Sequence, residues 1–216
     1  MDTFKLLSAS LPSLMQGISV TIKIAAISLI AATFIGLVVG IINIGHNKIL
    51  KPIAVFYISL IRGTPIIVQA FFLYFGIPSI ANIKIQAFTA GIIVMTLNAG
   101  AYMAEIFRGG IQAVDKGQME AARSLGLPYN KAMIKVVLPQ AVRKMIPAII
   151  NQFIISIKDT SILTVIGIRE LTQSGEIIIA ATYKAFTIWS VVAVMYFILI
   201  TILSVISKKV ERCLNV

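Results

Sequence analysis

A chain of 216 residues that is 58% hydrophobic and 12% charged, with a mean hydropathy of +0.96, is far too apolar for a soluble core and reads as an integral membrane protein. Its net charge of +11 points to cations distributed about a membrane rather than to a nucleic-acid partner. Cys213 is the only cysteine and His46 the only histidine, which excludes an intrachain disulfide and leaves no cluster of metal ligands.

In chain order, residues 1–16 place Phe4, Leu7, Leu11 and Leu14 at three- and four-residue spacing, which predicts a short interfacial amphipathic segment. The N-terminus lacks a basic n-region and a small-residue cleavage site, so it is expected to remain in the mature protein. Five membrane-crossing helices are predicted at about 17–44, 53–77, 88–107, 141–166 and 186–206, in one transmembrane domain over 17–207. The runs are continuously apolar, so the fold class is all-α and not a barrel.

The first span carries Gly36 and Gly40, a small-xxx-small face for close packing, and Lys23 near its start reads as a side chain snorkelling to the interface. Gly40 and Gly45 imitate the opening of a phosphate-binding loop, but His46 and Asn47 stand where Lys and Ser/Thr are required. In the second span Arg62-Gly63-Thr64-Pro65 predicts a kink or break that frees carbonyls, with Arg62 as their cap or as an anion contact. A short polar loop with Asn82 and Lys84 precedes the third span, and Arg169, Glu170 and Glu176 fall in a predicted loop before the fifth. The tail, 208–216, ends in Cys213-Leu214-Asn215-Val216, which departs from a prenylation box at Asn215.

Cations decide the orientation. Lys48 and Lys51, the group from Arg108 to Lys144, and Lys208, Lys209 and Arg212 fall on one face of a five-span chain, against Lys5, Lys84, Arg169 and Lys184 on the other. The N-terminus is therefore predicted outside, with the 108–140 loop and the tail cytoplasmic.

Polar residues inside spans need partners or a water-filled cavity. Asn98, Tyr102 and Glu105 share one helical face, Gln152, Ser156 and Asp159 another, and Lys158-Asp159-Thr160-Ser161 is densely polar. One reading is a site for a small zwitterion. Lys158, Thr160 and Ser161 would hold a carboxylate, Glu105 or Asp159 an ammonium or guanidinium, and Asn98 and Tyr102 either end. The other is that these groups satisfy one another, for instance Lys158 with Asp159 or Glu105.

Between the apolar runs lies GQMEAARSLGLPYNKAMIKVVLP, Gly117 to Pro139. It predicts a helix over Gln118–Leu125, a bend at Gly126 and Pro128, and a second helix from near Asn130 to Pro139. Glu120-Ala121-Ala122, Gly126 and Leu138-Pro139 at this spacing resemble the EAA signature of bacterial ABC importer permeases, with Val136 where isoleucine is usual. Arg62-Gly63-Thr64-Pro65 with Gln69, and the run AYMAEIFRGGIQAVDKGQMEAARSLG, resemble the polar amino-acid subfamily that serves histidine, glutamine and arginine importers.

The resemblance implies a type I importer permease in a bacterial plasma membrane, with the 108–140 loop as its coupling helix. Gly117, Glu120, Ala121, Ala122, Gly126, Leu138 and Pro139 would meet a separate ATPase subunit that binds the ATP and Mg. This chain would be no enzyme and would hold no cofactor. It would pair with a second permease, itself or a relative, and receive substrate from an external binding protein. Glu105 and Asp159 favour basic amino acids. Glutamine or another neutral polar amino acid is the alternative, and a channel or accessory subunit without ATP coupling is the reading from a different class.

Overall fold

A computed structural model describes residues 3–213, which are helical throughout apart from short connections. Ten α-helices follow in order: α1 (Thr3–Ile44), α2 (Leu50–Arg62), α3 (Ile66–Phe71), α4 (Ile77–Ala81), α5 (Ala87–Gln112), α6 (Lys116–Ser124), α7 (Tyr129–Ala132), α8 (Leu138–Asp159), α9 (Leu171–Thr182) and α10 (Ala185–Cys213). Four continuous helical stretches, Phe4–Ile44, Ala87–Gln112, Tyr129–Ile166 and Ala185–Arg212, are long and apolar enough to cross a membrane. A bent pair adds a fifth.

No break divides residues 3–16 from 17–44, because α1 is a single helix of 42 residues. Its N-terminal face also differs from the expected stripe. Phe4 and Leu11 are exposed, whereas Leu6, Ser10, Leu14 and Gly17 are buried, and Leu6 and Leu14 pack with Leu171, Ile188 and Val192 of α9 and α10. Backbone contact explains the choice of face. A Cβ on Gly17 would lie 2.7 Å from Ser174 Oγ and 2.8 Å from Leu171 Cα, so only glycine lets α9 approach.

Further along, Gly36 and Gly40 turn towards α5, as the small-residue spacing predicts. A Cβ on Gly36 would lie 2.4 Å from Met103 Cβ, and one on Gly40 3.1 Å from Ala104 O. The α1–α5 pair is the most extensive helix contact in the chain.

The predicted second span breaks at Gly63-Thr64-Pro65, with a bend of 104° between Leu50–Arg62 and Ile66–Ala81. Pro65 takes an extended ψ of 137° before α3 begins. The freed carbonyls are met by Gln69 and not by Arg62: Gln69 Nε2 donates to Ile61 O at 2.8 Å and to Thr64 O at 3.0 Å. An amide four residues beyond the proline lies directly over the opened turn, whereas Arg62 ends α2 and points to α5.

Two expectations about the polar stretch change. Helix α6 starts at Lys116, earlier than Gln118, because Asp115 caps it by accepting from Gly117 N–H at 2.7 Å. The second helix does not stop at Pro139. It runs from α7 through a π-helical turn at Met133–Val137 into α8 and then a 3-10 turn at Thr160–Ile166. A turn with one extra residue absorbs the ring and the missing N–H that would otherwise break the helix.

The predicted loop around Glu170 and Glu176 is largely helix α9. Glu170 is fully buried and caps it, accepting from Gln173 N–H at 2.8 Å and from the Tyr196 hydroxyl of α10 at 2.8 Å. Burial pushes this carboxyl above the usual range, opposed by hydrogen bonds from the Gln173 and Thr172 amides and from Tyr196. A raised folded-state pKa gives stability that is full below the ordinary carboxylate range and is lost as pH rises through the raised value. Thermal unfolding of the permease should therefore show Glu170→Gln flattening that pH dependence. Glu170→Ala, which takes the acceptor from the Gln173 amide and the Tyr196 and Thr21 hydroxyls, should cost about 3 kcal/mol. An alanine variant that unfolds with wild type would remove the carboxylate from the account of how α1, α9 and α10 are joined. The tail cations continue α10, and Leu214, Asn215 and Val216 of the expected prenylation box lie outside the described residues.

Candidate translocation cavity and coupling surface

Three segments converge on a cavity of about 570 Å³: the break after α2, the middle of α5 and the end of α8. Arg62, Asn98, Tyr102, Gln152 and Asp159 line it. Asn98 is buried and its Nδ2 donates to Gln69 Oε1 at 3.2 Å, which ties the break to α5. The Arg62 guanidinium stands 5.3 Å from the Tyr102 ring centroid, within cation–π range. Asp159 is half-buried and makes no ion pair among the described residues. The space opens here because a broken helix cannot pack along its whole length against α5 and α8.

Of the seven residues read from the sequence, the structure gathers Asn98, Tyr102 and Asp159 on this cavity. Glu105 lies outside it, in a second cavity of about 390 Å³ nearer the 108–140 loop, with Lys51, Arg62 and Arg108. There Arg108 donates to Glu105 through Nε at 3.0 Å and Nη2 at 2.8 Å, Arg62 Nη1 stands at 3.4 Å, and Asn43 Nδ2 donates at 3.4 Å. With Arg62 41% and Glu105 22% exposed, their pair is of the solvent-screened kind that contributes about 0–1 kcal/mol.

Lys158 is exposed on α8. The Thr160 and Ser161 hydroxyls are taken up by their own helix, donating to Ile157 O and Lys158 O, each at 2.7 Å. The polar run is thus partly self-satisfied, as hydroxyls near a helix end commonly are. Gln69 was not among the candidate site residues. Its signals in the sequence are a polar side chain four positions after Pro65 and its place in the Arg62-Gly63-Thr64-Pro65 motif that carries the subfamily resemblance.

In the 108–140 stretch, Glu120 and Ala121 face outward while Ala122 is buried at 4% exposure, on a helix that packs against the Met133–Val137 turn. Gly117, Gly126 and Pro139 are exposed and Leu138 is partly buried. Leu125 stands 85% exposed at the tip and Tyr129 49% exposed beside it, an apolar end on an otherwise polar helix. Gly126 has φ of +86°, its N–H donating to Arg123 O and that of Leu127 to Ala122 O, the paired bonds of a Schellman cap. Two ties fasten this loop to α8: Gln140 Nε2 donates to Gln118 Oε1 at 3.1 Å and Lys144 Nζ to Ala113 O at 2.6 Å.

A broken membrane helix beside a polar cavity, with a protruding amphipathic loop fixed to the helix that ends at that cavity, is the build of an importer permease. The family described as binding-protein-dependent transport system inner membrane component matches residues 32–215, and the chain belongs to it. It is accordingly a membrane-embedded ABC importer permease of the type I fold and not an enzyme, ATP hydrolysis residing in a separate subunit. The chain is 42% identical over 208 residues to the glutamine transport system permease protein of Escherichia coli strain K12, covering 96% of this chain and 95% of that one. It is 38% identical over 205 residues to the arginine transport system permease protein of Bacillus subtilis strain 168, covering 95% and 94%. A crystal structure of an amino acid ABC transporter with histidines superposes with a TM-score of 0.94 at 37% identity over 98% of both chains.

Proposed function

We propose that this permease imports polar amino acids, that the cavity at the α2–α3 break is its half of the substrate path, and that α6 receives the ATPase. One observation carries the reading: Arg62 and Asp159, of opposite charge, line the same cavity. That pairing suits the carboxylate and ammonium of a zwitterion. A volume of about 570 Å³ falls in the range of small-molecule sites, roughly 300–1,000 Å³.

With Glu105 engaged by Arg108, a preference for basic side chains rests on Asp159 alone. A neutral substrate such as glutamine is favoured by a specific feature. If Arg62 and Asp159 hold the backbone groups, Asn98, Gln152 and Tyr102 remain for the side chain, and all three are uncharged. Lys158 and the hydroxyls of Thr160 and Ser161 contribute only where a second permease brings its own surface to the path.

The exposed face of α6 docks on the ATPase, a second permease completes the pathway, and an external binding protein delivers substrate. Cation placement puts the N-terminus outside and the coupling loop and tail in the cytoplasm. When ATP closes the ATPase pair, α6 moves and the Gln140–Gln118 and Lys144–Ala113 ties carry that motion into α8 and Asp159.

Binding of radiolabelled arginine, histidine, lysine and glutamine to the purified permease–ATPase complex, without the external protein, tests the site. Asp159→Asn should weaken every ligand by at least about tenfold, as loss of one charge-assisted contact implies. Loss confined to arginine and lysine would assign Asp159 to the side chain. No saturable binding to an intact, ATP-hydrolysing complex would overturn the membrane site.

A further inference from the structure

Gln69 is tied on both sides, and each tie has a direction. Its Nε2 lies within hydrogen-bonding distance of three oxygens, Ile61 O at 2.8 Å, Thr64 O at 3.0 Å and Thr64 Oγ1 at 2.9 Å. The carbonyls only accept, and the Thr64 hydroxyl spends its hydrogen on Leu60 O at 2.9 Å. An amide oxygen turned to this group would meet acceptors alone, so the nitrogen must face the break. Gln69 Oε1 is therefore the end that faces α5. Asn98 has to answer it with a donor, and does so through Nδ2 at 3.2 Å.

We infer that Gln69 is a positioning residue that fixes the polarity of the Asn98 amide, so that the substrate cavity presents an acceptor and selects side chains able to donate a hydrogen bond. The inference rests on the central cavity being the substrate site proposed above, and adds what that site discriminates.

Placement agrees with that direction. Asn98 lines the central cavity, whereas Gln69 lies behind it on a separate apolar groove. Asn98 Oδ1 accepts no hydrogen bond among the described residues and keeps both lone pairs. The one fully enclosed side-chain polar atom without a partner among those residues is Ser174 Oγ, so Oδ1 is reached from the cavity. Gln152 and Tyr102 have no comparable frame. Gln152 Nε2 stands 3.4 Å from Ser156 Oγ, and a hydroxyl serves either end of an amide. The Tyr102 hydroxyl likewise both donates and accepts. Of these three, only Asn98 has its sense set from outside the cavity. With Arg62 and Asp159 on the backbone charges, a side-chain amide, imidazole or guanidinium finds a lone pair at Asn98. A carboxylate or ester brings a second acceptor to it, and the pair repels.

Competition against radiolabelled glutamine, on the purified permease–ATPase complex without the external protein, tests the polarity. The competitors are unlabelled glutamine and L-glutamate γ-methyl ester, whose side chain is equally uncharged but has no donor. Wild type should favour glutamine by at least about tenfold, as one hydrogen bond replaced by two facing acceptors implies. Gln69→Leu, which frees the Asn98 amide to turn, should narrow the preference to about threefold or less. Adding Asn98→Asp to Gln69→Leu should restore it, because both carboxylate oxygens accept. If Gln69→Leu fails to assemble, Asn98→Leu, which leaves Gln69 on its carbonyls, decides the matter by losing the preference as well. A preference that survives either leucine substitution, with both competitors weakened by one factor, would mark a purely structural role and overturn the inference. So would a wild type that treats the competitors alike, or a loss that aspartate does not repair. Each of these leaves the cavity standing as the substrate site. Absence of saturable glutamine binding would overturn the site itself, and the inference with it.

Discussion

Gly36→Leu should destabilise the permease by about 3 kcal/mol or more, the upper range for forcing bulk into a packed contact. The Cβ alone would fall 2.4 Å from Met103 Cβ and 3.1 Å from Ala104 N and Gly100 O. None of these is the free end of a flexible side chain, so relief requires α1 and α5 to separate. In a membrane that separation is costly, because helix association there depends on close van der Waals contact and not on expulsion of water. Gly36→Ala should show a smaller loss of the same kind. Gly109→Ala, with no atom of this chain within 4 Å of the new Cβ, should be neutral or slightly stabilising. Thermal unfolding of the purified protein measures all three. A leucine variant that melts with wild type would show that the α1–α5 approach is dispensable.

Gly126→Val should uncouple transport while leaving the membrane helices folded. The native φ of +86° is one that a β-branched residue occupies only at a strain of about 1–3 kcal/mol. The chain escapes by giving up the Schellman bonds from Gly126 and Leu127, which re-aims α6 relative to α7. Glu120, Ala121 and the exposed tip at Leu125 would then present a different surface to the ATPase. Affinity of the permease for its ATPase and ATP-driven uptake are each expected to fall by more than about tenfold, since misdirecting even one central contact costs about 1.4 kcal/mol or more. Gly126→Asn, which tolerates the left-handed region, should retain most of both. Full uptake by the valine variant would mean that the bend has no part in coupling.

These two glycines were legible from the chain alone, and for a common reason. Gly36 and Gly40 are marked by spacing, and Gly126 by its place between an amphipathic run and Pro128. Both signals reflect short-range geometry that any helix must obey. The same holds for the break at Gly63-Thr64-Pro65 and for the all-helical, membrane-crossing build, since proline and continuous apolarity act within a few residues.

What the tertiary structure decided concerns partners distant in sequence. Glu105 shares a helical face with Asn98 and Tyr102, yet Arg108 and Arg62 hold it in a different cavity. Helical periodicity says which residues face the same way, not what waits there. Gln69 in place of Arg62 over the freed carbonyls, and Glu170 buried beneath Tyr196, follow from where the 104° bend and helix α9 put those side chains. The helix that continues through Pro139 depends on a widened turn at Met133–Val137. Local torsion and apolarity determined which segments cross the membrane and where they bend. Long-range packing alone chose which charges meet, because pairing energies depend on distances that no local pattern encodes.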